Sequence, residues 1–132
     1  MQTNHQKAFT MVELIFVIII IGILSAIAIP KFAETGKLAY TSRAESTVAA
    51  LRSAIATDRQ KRILRGDTSS VITTAEAEAL LTYGLNADNW AKTNDVTFTF
   101  TMPGSGATCA LDIVGGKLEK KTCAAATGLT HL

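Results

Sequence analysis

From Phe9 to Ile29 the chain reads "FTMVELIFVIIIIGILSAIAI", with Glu13 as the only ionisable side chain in the run. At roughly 1.5 Å of rise per residue, a helix of that length matches a hydrocarbon core of about 30 Å and can cross a bilayer. A secretory signal is the rival reading, because "SAIAIP" could pass as a cleavage site. Such signals have a shorter apolar core with no acid inside it, so a retained anchor fits better. The acid is the sharper clue. A charged side chain costs roughly 2.5 to 3.5 kcal/mol at the bilayer centre and less toward an interface, so a carboxylate there usually has a partner. Position alone leaves two readings, a glutamate reaching the headgroups or a functional group.

The flanking residues decide between them. Lys7, Phe9, Thr10, Glu13, the apolar run from Leu14, Gly22 and Pro30 stand in the register of a short basic leader, a cut before Phe, a Glu at the fifth mature position and a Pro just past the apolar helix. In this order the chain resembles the type IV pilin and pseudopilin family over about its first quarter. One residue departs from the pattern, since Ala8 stands where the family usually has Gly before the cut; Ala is the nearest side chain to Gly, so processing is expected to survive.

The resemblance implies that a prepilin peptidase cuts between Ala8 and Phe9 and methylates the new amino terminus on Phe9. Glu13 would then neutralise the Phe9 ammonium of a neighbouring subunit, or of its own chain, in a filament core where unpaired charge is costly. Glu13 becomes a registry device. Gly22 to Pro30 is the stretch where an assembled filament of this family can unwind. Further implied partners are like subunits and related pilins, an inner-membrane assembly platform, and membrane lipid before assembly.

The expected organisation is a leader over 1–8, a membrane and filament-core helix over 9–30, and one small domain over 31–132. With 132 residues, 48% hydrophobic and 18% charged, there is room for one modest core beyond the membrane segment. Net charge is only +2, so no strong field argues for nucleic acid, although uptake of DNA by a filament is left open. Lys7 on the short amino-terminal side places that side in the cytoplasm by the positive-inside rule, and the domain outside. The expectation is therefore a single-pass precursor in a bacterial inner membrane, later a periplasmic or cell-surface filament.

Past Pro30, Leu38, Val48, Leu51, Ile55 and Ile63 recur at helical spacing, with charged residues largely elsewhere on the wheel. Gly66 supplies a stop. Pro30 removes one backbone bond and bends a helix without having to end it, so both halves are expected to form one long helix. Thr73 with Glu76 fits a capping box for a second helix over about 75–83, stopped by Gly84. Trp90, the single tryptophan, is expected in the core, with a subunit or ligand contact as the alternative.

The last third has strand periodicity. Val96, Phe98, Phe100 and Met102 alternate with threonines and should pack on the long helix. "ATCALDIV" and "KLEKKTC" flank Gly115-Gly116, a hairpin signal. The fold class is thus α+β, a long helix on an antiparallel sheet of about three strands, with a fourth available from residues without a strong pattern. Given export to an oxidising space, Cys109 and Cys123 read as a disulfide, and the resemblance agrees, since many pilins bound a carboxy-terminal loop with such a pair. A strict two-residue turn pairs Ile113 with Leu118 but sets Cys109 opposite Thr122; a three-residue turn sets Cys109 opposite Cys123 but turns Leu118 to the other face. The disulfide therefore requires a bulge or an early strand end between Lys120 and Cys123.

Signals for chemistry are few. His5 and His131 lie at opposite ends, and no spacing for zinc or for a nucleophile occurs, so no enzyme, cofactor or metal is expected. Two functions from different classes remain: a structural subunit of a type IV pilus or type II secretion pseudopilus, and a monomeric membrane-anchored periplasmic binding module. The tether has no use for Glu13. Small size and the presence of that acid favour a polymerising subunit over a tip subunit, without separating pilus, pseudopilus and DNA-uptake filament.

Overall fold

A computed structural model of the chain describes residues 9–67 and 72–132. Helix α1 runs Met11–Leu64 without interruption through Pro30, and α2 follows at Thr74–Ala79. Four strands complete the fold: β1 (Trp90–Lys92), β2 (Thr97–Thr101), β3 (Thr108–Val114) and β4 (Lys117–Cys123). They form one antiparallel sheet in the order β1-β2-β3-β4. The chain divides into two compact units, one ending at Gly36 and the other spanning Lys37–Leu132.

In the second unit, α1 buries Ala44, Val48, Leu51 and Ile55, the i, i+4, i+7, i+11 face of the helix. They join Phe98, Phe100, Leu111, Ile113 and Leu118 of the sheet in a single core. The stripe is narrower than its periodicity implies. Leu38 is 64% exposed and Ile63 is 56% exposed, so the core takes only the middle of this helical segment. The helix ends in a Schellman motif: Gly66 takes φ +79°, its N–H donates to Ile63 O, and Asp67 N–H donates to Arg62 O, each at 3.0 Å.

Helix α2 starts at the expected box. The Thr73 hydroxyl accepts from Glu76 N–H, and the Glu76 carboxylate accepts from Thr73 N–H at 2.9 Å. It stops at Ala79 rather than near Tyr83, as the following residues turn and Gly84 adopts φ +66°. Trp90 is buried in β1, its ring centroid 5.2 Å from that of Phe100. This strand makes the sheet four-stranded instead of three-stranded. Val96 lies just outside β2 and is partly exposed, while Phe98, Phe100 and Met102 are buried.

The β3–β4 hairpin satisfies both pairings that the turn arithmetic set against each other. Ile113 pairs with Leu118 across the two-residue Gly115-Gly116 turn, both glycines at positive φ, and Cys109 pairs with Cys123. The register slips between Ala110 and Leu111, so Lys121 is the extra residue of a bulge. That insertion reverses the inward-outward phase of β4 and brings Cys123 to the face of the buried Cys109, with which it forms a disulfide.

The carboxy-terminal residues carry no regular element beyond a short 3-10 turn at Ala125–Thr127, yet Thr127 and Leu129 are wholly buried. The Thr41 hydroxyl of α1 donates to Thr127 O at 3.1 Å, and His131 Nε2 lies 3.1 Å from Glu45 Oε1. Gly128 is required here. It has φ +71°, and a Cβ would come 3.1 Å from the Thr41 methyl.

Candidate functional site

The amino-terminal part of α1 is apolar on every side, and among the described residues its side chains are left largely exposed. Its most apolar 18-residue window has no buried residue, and it is long and apolar enough to cross a membrane. Phe9 is 81% exposed, and Ile18, Ile19, Ile20 and Ile21 are each at least 41% exposed. Single exposed apolar residues are ordinary, but a continuous sleeve of them marks a surface made for lipid or for other protein.

Thr10 precedes the first helical residue, and its hydroxyl accepts from Glu13 N–H at 3.2 Å. It is the N-cap. Glu13 is the third residue of the helix, where the N-terminal partial positive charge of the backbone favours a carboxylate. Thr10-Met11-Val12-Glu13 is itself a T-x-x-E pattern, the same signal that marks Thr73 and Glu76, and sequence reasoning applied it only to the second helix. Among the described residues the Glu13 carboxylate has no ion-pair partner. The nearest charged residues along the helix, Lys31 and Glu34, approach each other at 3.9 Å.

Of the residues singled out from sequence, Phe9, Glu13, Gly22 and Pro30 lie in the first unit, and Ala8 lies outside the described residues. A Cβ at Gly22 would meet nothing within 4 Å, so this glycine contributes backbone freedom and no close packing in the isolated chain. Cys109 and Cys123 sit in the second unit, where they tie β3 to β4. Their roles are separate.

The charged groups of the second unit are mostly spent on structure. Asp112 accepts from the Thr97 hydroxyl at 2.7 Å and faces Lys121 Nζ at 3.0 Å; these contacts, the hydroxyl first, hold its carboxyl below its ordinary range. The hydrogen bond from Lys92, at 2.6 Å, does the same for Glu78, and the Thr73 N–H does so for Glu76. Among the described residues no group of three or more His, Cys, Asp or Glu side chains converges as a metal site would require.

Residues 3–29 match the model of the prokaryotic N-terminal methylation motif. Over 50 residues, 38% of this chain and 43% of the relative, the sequence is 50% identical to the type IV narrow pilus major component PilA5 of Thermus thermophilus. It is 46% identical over 57 residues to a fimbrial protein of Moraxella nonliquefaciens, and 49% identical over 49 residues to one of Pseudomonas aeruginosa. These matches cover 43% and 37% of this chain, and 37% and 32% of the relatives, so the chain spans less than half the length of the curated relatives it matches. No solved structure matches the chain. Its methylation motif, the relatives it resembles and a long apolar amino-terminal helix with a small antiparallel sheet make the chain similar to the type IV pilins.

Proposed function

We propose that this chain is a polymerising structural subunit of a type IV pilus, cut by a prepilin peptidase between Ala8 and Phe9 and methylated on Phe9. The observation that carries the proposal is Glu13, a carboxylate with no ion-pair partner among the described residues, at the start of an exposed apolar helix and inside a methylation motif. The named relatives are pilus and fimbrial proteins, which favours a pilus over a secretion pseudopilus.

Before assembly, lipid covers the apolar sleeve, and the precursor is a single-pass protein of the inner membrane with its domain facing outward. Cleavage puts an ammonium on Phe9. A subunit joining a filament replaces lipid with the helices of its neighbours, and the Phe9 ammonium meets a Glu13 carboxylate. Opposite charges attract strongly where water is excluded, whereas a lone charge there is costly, so the pair sets the register and rewards leaving the bilayer. Thr10 fixes the first turn that carries Glu13. Gly22 and Pro30 give the helix a segment able to stretch within the filament, and an inner-membrane platform supplies the assembly machinery.

Intact-mass measurement on protein from sheared surface filaments or native membranes tests processing directly. The expected chain begins at Phe9 and carries one added methyl group. A chain that keeps Met1, or one cut between Ser25 and Ile29, would leave a tethered or secreted binding domain and end the filament reading.

A further inference from the structure

The second unit contains two adjoining cavities that the filament reading does not use, and they share Tyr40, Arg43, Asn86 and Asn89. The outer one is an open cleft of about 480 Å³ that also takes in Asp88. The inner one is a recess of about 80 Å³ that reaches Trp90 and Phe100. Those two rings are 7% and 2% exposed and packed against each other, so the base of the recess is apolar and fixed. On the scale at which about 10–15 Å³ admits a water, the recess has room for a compact branch of a ligand.

The rim has the opposite character. Among the described residues nothing pairs with the Arg43 guanidinium, the Asp88 carboxylate or the Tyr40 hydroxyl. Asn86 Oδ1 accepts from Asp88 N–H at 3.0 Å, which leaves its amide N–H groups available, and Asn89 Nδ2 donates to Thr101 O at 3.4 Å, which leaves its carbonyl available. One cleft thus offers a cation, an anion, an amide donor and an amide acceptor around an aromatic ring. A simple anion would meet Asp88. A purely apolar ligand would strip water from Arg43 and Asp88 with no return. The complement to this mixture is a ligand with hydroxyl groups of both hydrogen-bonding senses, an apolar C–H face, and one small apolar branch.

We propose that the cleft binds an N-acetylated amino sugar. Its ring hydroxyls bond to Arg43, Asp88 and the two asparagines, its C–H face lies on Tyr40, and its acetamido methyl enters the recess over Trp90 and Phe100. This requires no filament, and no part of it depends on how the amino terminus is processed.

Trp90 is the only tryptophan, so its fluorescence reports on the recess alone. The full chain, held in micelles of a detergent without a sugar headgroup, is titrated with N-acetylglucosamine and, in parallel, with glucose. The expected result is a saturable change with N-acetylglucosamine and at least tenfold weaker binding of glucose. Arg43→Ala and Asp88→Ala should each weaken binding at least tenfold with an unchanged melting temperature, since neither side chain holds the fold. Saturation-transfer NMR on the sugar gives a readout free of mutation, with the strongest contact expected at the acetyl methyl. An unsaturable response, equal responses to the two sugars, variants that bind like the parent, or strongest transfer to ring protons remote from the acetyl group would each overturn the proposal.

Discussion

Helix α1 contains two apolar stretches with opposite fates. Ile18 to Ile21 remain at least 41% exposed, whereas Val48, Leu51 and Ile55 are at most 1% exposed. Both are helical and rich in aliphatic side chains, so secondary structure alone does not separate them. Coverage does. The later stretch shows apolar groups on one face and meets the sheet of its own domain there; the earlier one is apolar all round, and its most apolar window has no buried residue. A one-faced pattern describes a helix that completes its burial within the domain, and an all-round pattern describes one that completes it in lipid or among other copies.

The largest expected effect falls on the earlier stretch. Glu13→Leu should lower filament recovered by shearing by more than tenfold while the subunit stays at its normal level in the membrane, and Glu13→Gln should behave alike, because the argument rests on charge. Normal filament yield from either variant would remove the registry role. A matched pair of substitutions then tests coverage itself. Phe98→Ala should destabilise the domain by about 3–5 kcal/mol in denaturant unfolding, as large-to-small changes do in packed cores. Ile20→Ala should leave domain stability unchanged, and an equal loss from both would erase the distinction.

Within the domain, removing the disulfide through Cys109→Ser with Cys123→Ser is expected to lower stability by about 3 kcal/mol on the chain-entropy model, for a sequence separation of 14. Unfolding of the double variant beside the parent measures it. The smallest effect is the acid response. Asp112, Glu76 and Glu78 all have carboxyls held below their ordinary range in the folded chain. Their contribution is therefore complete above the unfolded values near pH 4 and is lost as pH falls through the lower folded values. The melting temperature should drop on acidification below about pH 4, and Thr97→Val should flatten that drop by removing the largest cause acting on Asp112. No change in slope would place the acid sensitivity elsewhere.

Several local features were legible because their causes are local. The Thr73–Glu76 capping box, the Gly66 stop, the alternation through Phe98 and Phe100, and the Gly115-Gly116 turn each depend on residues within one turn or hairpin. The conflict between the Ile113–Leu118 and Cys109–Cys123 pairings was visible too, and a bulge at Lys121 resolves it. What could not be read depends on distant partners. Trp90–Lys92 is too short to show a period, and it is a strand only because Phe98 to Phe100 lie alongside to pair with it. Thr127 and Leu129 belong to a segment without periodicity, and they are buried because Thr41 and its helix lie against them. The sugar cleft gathers Tyr40 and Arg43 from α1 with Asn86, Asp88 and Asn89 from a loop far along the chain, which no spacing rule connects.

By itself, the order of residues determined that the amino-terminal helix is apolar around its circumference, carries a single carboxylate and is long enough to cross a bilayer; the structure added that its most apolar window has no buried residue. It also carried the resemblance to the type IV pilins, through the motif around Phe9 and Glu13. Tertiary structure decided which part of the second helical stripe is core, admitting Ala44 to Ile55 and leaving Leu38 and Ile63 exposed, because burial depends on what the rest of the domain brings against each face. Periodicity fixes the direction a side chain faces; only the packed domain fixes whether anything is there to meet it.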